Sequence, residues 1–375
     1  MKNFFHRFPD VCHDIFDQLD DQNLAKSKEV SVIWCRFINS ERFWWIRMIQ
    51  NYADEDITED PDVWRKVVVR NPIEIVKNLA ISSRQFYKCC PRARDISPFH
   101  IMAHSGDLQI LKKFKLKDQK CKEGFSLLHY ATMGGYIESC KYLMSNLKEN
   151  NPASNDGFTP LYIAAQNGRY DICKLIVGNV DEKNPAINGG CTPLSVAASN
   201  GHIDICKLII GNVDNKNPAN NQGNTPLHKA AQNNHFDICK YIIDNVDNKN
   251  PANNRGYTPL HIAAHNGHFD NCKLIIENVD DKNPANIIGI TPLHLAAHTG
   301  HFEICKLIID NVYNTHRRMF TSQSGFEKYY MVLQYLHPID DNGYTPLLLA
   351  AQRNYFGTYK IIYYLLCKFT KIMYE

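Results

Sequence analysis

Thr-Pro-Leu begins at Thr159, Thr192, Thr225, Thr258 and Thr291, each copy 33 residues after the last, and returns at Thr345. A phrase repeated at that period marks one small structural unit copied along the chain. A unit of that size cannot bury its own apolar face without neighbours, so the copies must stack. Two degenerate copies precede the run, Ser126-Leu127-Leu128-His129 and Ser97-Pro98-Phe99-His100, which gives eight units over residues 96–375.

The unit from Asn250 to Val279 shows how local chemistry dictates its form. Asn253-Asn254-Arg255-Gly256 is a turn signature in which Gly supplies positive φ. Thr258 is a helix cap, and Pro259 suits the first helical turn, where a missing N–H would be unpaired anyway. Leu260, Ala263 and Ala264 form a narrow apolar face that lets a neighbouring helix approach closely, and Gly267 is the stop. A second helix follows from Phe269, with Cys272, Leu274, Ile275 and Ile276 as its buried stripe. Some units depart from this pattern. Asn234 takes the place of the stop glycine, which Asn tolerates in left-handed geometry. Ile287-Ile288-Gly289-Ile290 puts three branched apolar residues at a turn that is polar elsewhere, as in Asn220-Asn221-Gln222-Gly223. Thr291 and Thr345 lie 54 residues apart, 21 beyond the period. The excess is an insert near residues 313–338, carrying His316-Arg317-Arg318-Met319-Phe320 and a helical pattern from Phe326 to Leu333. It is expected in a loop, on the binding side.

The period and the Thr-Pro-Leu-His phrase (Thr225 to His228, Thr258 to His261, Thr291 to His294) resemble the ankyrin repeat family, over about three quarters of the chain. The resemblance implies an all-α fold with short β-hairpin turns, arranged as a solenoid. It also implies a protein partner held on the concave side, by turn tips and the first helix of each unit. Residues that vary there while the framework repeats are the candidate target-binding set: Phe158, Lys229, Arg255, Tyr257, Ile287, Ile288, Ile290 and Tyr344, with Cys191, Asn224, His265, Gln352 and Arg353 as further exposed candidates. Aromatic and Arg residues dominate binding hot spots, and contiguous exposed apolar residues seldom occur without a partner. Tyr257, Arg255, Ile287, Ile288 and Ile290 are expected at the centre of the patch. The alternative is that the isoleucines pack against the insert.

The first ninety residues differ. All four tryptophans, Trp34, Trp44, Trp45 and Trp64, fall before residue 65, and no repeat is visible there. Residues 1–50 carry Phe8-Pro9, Ile15-Phe16, Leu19, Asn23-Leu24, Val30-Ser31 and Trp34, then Phe37 and Phe43-Trp44-Trp45. From Leu19 onward these spacings resemble the F-box, a small helical module that docks a Skp-type adaptor in cullin–RING ubiquitin ligases. On that resemblance Phe8, Pro9, Ile15, Phe16, Leu19, Leu24, Val30 and Trp34 would meet the adaptor. A segment of this size rarely buries enough surface to be stable alone, and a covering partner resolves the excess. The alternative is a helical cap on the first repeat. Residues 51–95 open with acidic Asp54 to Asp60 and continue in helical patterns, which makes them a helical linker.

Other chemistry finds little support. A net charge of +3 leaves no broad basic footprint for nucleic acid. No apolar run reaches 18 residues, and the start lacks the apolar core of a secretory signal. A soluble protein is therefore expected, cytoplasmic with the nucleus also open, and a monomer outside any complex. Six of the thirteen cysteines, Cys140, Cys173, Cys206, Cys239, Cys272 and Cys305, also recur every 33 residues. Stacked helices lie ~8–10 Å apart, beyond the ~7 Å a disulfide can span, so these are small buried apolar residues in a reducing compartment. His261, His265 and His268, echoed by His294, His298 and His301, imitate zinc spacing, but the first and third of each trio belong to the repeat. No nucleophile constellation, phosphate loop or cofactor motif stands out, so neither a metal, a cofactor nor catalysis is expected. The function expected is that of a substrate-recognition subunit of a Skp–cullin–F-box ligase. An ankyrin scaffold unconnected with ubiquitin, or a pathogen or viral effector redirecting a host ligase, are the alternatives.

Overall fold

The computed structural model describes residues 98–106, 108–112, 120–322 and 335–374. The chain divides into two compact units, residues 1–160 and 161–375. The F-box-like segment and the linker lie outside the described residues. No helix among the described residues is long and apolar enough to cross a membrane.

In the first unit, α1 (Pro98–Ser105) and α2 (Leu108–Leu111) precede α3 (Leu127–Gly134) and α4 (Ile137–Asn146). α1 packs on α3, and α3 on α4. The His100 ring meets Tyr130 edge-on, centroids 4.9 Å apart. Ser126-Leu127-Leu128-His129 thus does begin a helix although it lacks Thr and Pro. Ser126 caps it, with the His129 ring closing back onto the Ser126 backbone N–H at 3.0 Å.

The second unit repeats one pair of helices. They are α5 (Pro160–Gln166) and α6 (Tyr170–Val177), α7 (Pro193–Asn200) and α8 (Ile203–Ile210), α9 (Pro226–Gln232) and α10 (Phe236–Asp244), and α11 (Pro259–Asn266) and α12 (Phe269–Glu277). The last two pairs are α13 (Pro292–Thr299) with α14 (Phe302–Ser322) and α15 (Pro346–Gln352) with α16 (Phe356–Tyr374). First helices pack on first helices, α7 to α9 to α11 to α13 to α15, and second helices on second helices, α6 to α8 to α10 to α12 to α14. The core lies between these layers. Leu260, Ala263 and Ala264 from the first layer and Cys272, Ile275 and Ile276 from the second are fully buried, while Leu274 is half-buried.

Each first helix starts where the sequence predicts. Thr258 is extended, with φ −105° and ψ 166°, and Pro259 follows at the first helical position. The stops take the left-handed region that favours glycine: Gly267 has φ 77°, and at the equivalent place Asn234 and Asn354 have φ 60°. The asparagine of each Lys-Asn-Pro-Ala phrase is structural, since Asn250 Oδ1 accepts from the Leu260 N–H at 3.1 Å and so satisfies an amide of the helix's first turn. All six periodic cysteines are completely buried and free. Burial pushes the thiols of Cys173, Cys206 and Cys239 up to about 12, so they stay protonated and apolar.

The hairpins are short turns without extended strands among the described residues, closed in one unit by Asn253 N–H to the Tyr257 carbonyl and Gly256 N–H to the Asn253 carbonyl, both 2.8 Å, and in the first unit by an isolated antiparallel bridge between Lys120 and Ser126. One expectation needs correction: the insert does not begin as a loop. α14 continues past the length of its siblings to Ser322, because Val312 and the residues before it keep the helical apolar spacing and find a long partner in α16. Tyr313 stacks on Phe369 with centroids 3.9 Å apart, and His316 on Tyr335 at 4.2 Å. The pattern from Phe326 to Leu333 lies outside the described residues.

Candidate functional site

The turns between units form a hydrogen-bonded row in the second unit. Asn221 N–H donates to Gly189 O at 3.3 Å, Asn254 to Gln222 at 3.1 Å, Ile287 to Arg255 at 3.4 Å and Asp341 to Ile288 at 3.2 Å. Side chains reinforce the early links. Asn221 Nδ2 donates to Asn188 O, and Asn254 Nδ2 to Asn221 O, each at 3.0 Å. In the first unit Asn155 does the same to Lys122 O at 2.9 Å.

Inside the later turns a side-chain amide or carboxylate oxygen holds the loop. Asn253 Oδ1 accepts from the backbone N–H groups of Arg255 and Tyr257, Asn286 Oδ1 from Ile288 and Ile290, and Asp340 Oδ1 from Asn342 and Tyr344. The histidine of the repeated phrase then ties each turn to the next. His261 Nδ1 accepts from the Thr258 N–H at 3.1 Å, which leaves Nε2 to donate to the Ile290 carbonyl at 3.0 Å. His228 reaches Tyr257 O and His294 reaches Tyr344 O in the same way. Burial above all drives the His228 and His261 pKa values down to about 4. These imidazoles are neutral struts. His268 Nε2 is likewise engaged by the Gln232 carbonyl at 3.1 Å, so the zinc-like trio does not converge, and no group of metal-ligating side chains forms among the described residues.

On this row the predicted residues separate. Arg255 is exposed, Tyr257 and Ile290 are half-buried, Ile287 is 69 % exposed and Ile288 40 %. The turns of Arg255 and Ile287 are directly hydrogen-bonded, which places the two turns side by side. Tyr344, 37 % exposed, stands on the next turn of the row, whereas Lys229 is half-buried on α9, away from the tips. Phe158 belongs to the first unit, half-buried and stacked on Phe125 with centroids 6.2 Å apart. Cys191 accepts from Asn220 Nδ2 at 3.5 Å, and Asn224 Oδ1 from Asn253 Nδ2 at 2.9 Å. Phe8, Pro9, Ile15, Phe16, Leu19, Leu24, Val30 and Trp34 lie outside the described residues.

Sequence reasoning missed Ile339 (66 % exposed) and Leu348 (42 %), which widen the apolar surface beside Tyr344. The signal was there in an apolar residue next to the Asp340 turn. It also missed Asn286. Its Nδ2 is buried without a partner, because Tyr257 stands where Asn224 offers an oxygen to Asn253.

Models of a family described as Ankyrin repeats (3 copies) match residues 99–188, 178–251, 194–286, 246–319 and 280–374. No curated protein matches the chain. A cap, a close-packed alanine pair, a left-handed stop and a turn-to-turn histidine recur through those same residues, and the chain belongs to the ankyrin-repeat family.

Proposed function

We propose that this chain is a protein-binding adaptor whose repeats capture a target on the turn row and whose residues 1–50 dock a Skp-type adaptor of a cullin–RING ubiquitin ligase. The ankyrin repeats give it a protein-binding role. One observation carries the location of capture. Ile287 occupies the position where Asn155, Asn221 and Asn254 bond back to the preceding turn, and it is 69 % exposed. The substitution forfeits a bond between units and leaves apolar surface in water. A sequence that breaks its own repeat in this way is the signature of a binding residue.

The ligase connection is supported by the spacing from Leu19 through Leu24, Val30 and Trp34. In this scheme bond-making belongs to partner subunits, and the chain contributes proximity by holding adaptor and target together. The test uses the full chain and purified Skp-type adaptor, beside a Leu24→Asp, Trp34→Ala double variant whose repeat region gives an unchanged circular-dichroism melt. The wild type should bind and the variant should not. A wild type that fails to bind would leave a protein-binding scaffold without a ubiquitin role.

A further inference from the structure

The first helices of the second unit carry no Asp or Glu at all: Pro160–Gln166, Pro193–Asn200, Pro226–Gln232, Pro259–Asn266, Pro292–Thr299 and Pro346–Gln352. At the end of these helices away from the tips, three cationic or titratable side chains from successive units come together. Arg353 Nη2 lies 3.0 Å from His298 Nε2, and His265 and Arg353 both act electrostatically on His298. His265 and Arg353 are exposed. Among the described residues Arg353 has no carboxylate in ion-pair range, and the ion pair seen there joins Lys141 to Glu138. Ile262 on α11 and Leu295 on α13 are half-buried, and Ile288, Ile290 and Tyr344 lie on the turns that precede α13 and α15. The tip row itself carries both signs, exposed Arg255 and exposed Asp341, so the unopposed positive charge lies at the base.

We infer that the target is an acidic–aliphatic polypeptide segment, its apolar side chains seated on Ile287, Ile288, Ile290 and Tyr344 and its carboxylates on Arg353, His298 and His265. This rests on the turn row being the capture surface. Charge complementarity selects the occupant: an Arg without a carboxylate partner, at the end of helices that carry no Asp or Glu, attracts a carboxylate and repels a basic segment. A helix of eight residues is about 12 Å long, so an extended segment of a few residues spans tip to base. A second copy of this face would set Arg353 and His298 against their own kind.

The experiment is selection of a displayed random twelve-residue peptide library on the full chain, on an Arg353→Glu, His298→Glu variant and on Ile288→Asp. Circular-dichroism melts confirm that each is folded. The wild type should enrich peptides that pair Asp or Glu with Ile, Leu or Phe, with affinity falling as salt rises. The charge-reversed chain should enrich Lys and Arg instead and bind the wild-type peptides about tenfold or more weakly, and Ile288→Asp should lose the aliphatic preference. Neutral or basic peptides from the wild type, an unchanged selection after charge reversal, or no selected peptide at all would overturn the inference. Binding of the Skp-type adaptor, measured on the same chains, depends on residues 1–50 and so separates failure here from failure of the ligase connection.

Discussion

Asn271 sits where four sibling helices bury an isoleucine: Ile172, Ile205, Ile238 and Ile304. It is fully buried, its Nδ2 makes a long 3.3 Å bond to Asn234 Oδ1, and its own Oδ1 has no partner. An unsatisfied buried polar atom costs about 1–3 kcal/mol, while Asn234 is exposed and water can replace the lost bond. Asn271→Ile should therefore raise stability by about 1–2 kcal/mol, seen as a higher urea midpoint with unchanged slope. A lower midpoint would mean that the Asn234–Asn271 pair is a needed link. Ile287 argues the converse. Ile287→Asn should restore the bond to the Asn254 carbonyl and stabilise the stack by roughly 0.5 kcal/mol, yet weaken target capture. Stability and binding that fell together would show that the isoleucine serves packing. Ile287 stands out in the sequence because one unit breaks the pattern of the others. The sequence could not flag Asn286, whose orphaned Nδ2 depends on a residue 29 positions earlier.

At the scale of the element, the Thr-Pro-Leu-His phrase does more than start a helix. Its histidine is acceptor to its own cap and donor to the next turn, which the sequence reveals only as a local bond. The structure adds the second half. Protonation would break this arrangement, since Nδ1 must accept. Burial first of all holds His129, His228 and His261 at about 4 against 6.5 in an open chain. The unfolded chain thus takes up protons that the folded one refuses. Their effect is absent above pH 6.5, grows as pH falls, and levels off near pH 4 at about 3 kcal/mol per histidine. Urea midpoints measured from pH 7 to pH 4 should drop steeply across that window, and less steeply for His228→Gln. A flat profile would contradict neutral buried struts. The second helices were legible for a related reason, with Cys and Ile at helical spacing in five consecutive copies, from Cys173 to Cys305. α14 was not, because its extra turns lie in the insert, where no repeat vouches for them and only the contact with α16 explains them.

For the molecule as a whole, repetition made the architecture readable from residue 98 onward, including the degenerate copies at Ser126 and Ser97. What repetition cannot carry is anything used once: the insert, the basic cluster of His265, His298 and Arg353, and residues 1–97. Stacked units exchange stability with their neighbours only, so a target can use side chains on the turns without disturbing the layers beneath. The same layering predicts thiol chemistry. Among the described cysteines, exposed Cys367 should alkylate first under native conditions, and Cys140, Cys173, Cys206, Cys239, Cys272 and Cys305 only on unfolding, as mass spectrometry would show. Early labelling of any of the six would mean that the second layer opens.

The most direct test of the central claim, that the turn row captures a protein, is site-specific photo-crosslinking of the full chain in cells. One photoreactive residue replaces Ile288 and, in a second chain, another replaces Lys240, which is exposed on α10 away from the row. Position 288 should yield a discrete protein adduct that position 240 does not, and Ile287→Asp in the same chain should abolish it. Equal adducts from both positions, or an adduct indifferent to Ile287→Asp, would contradict the account.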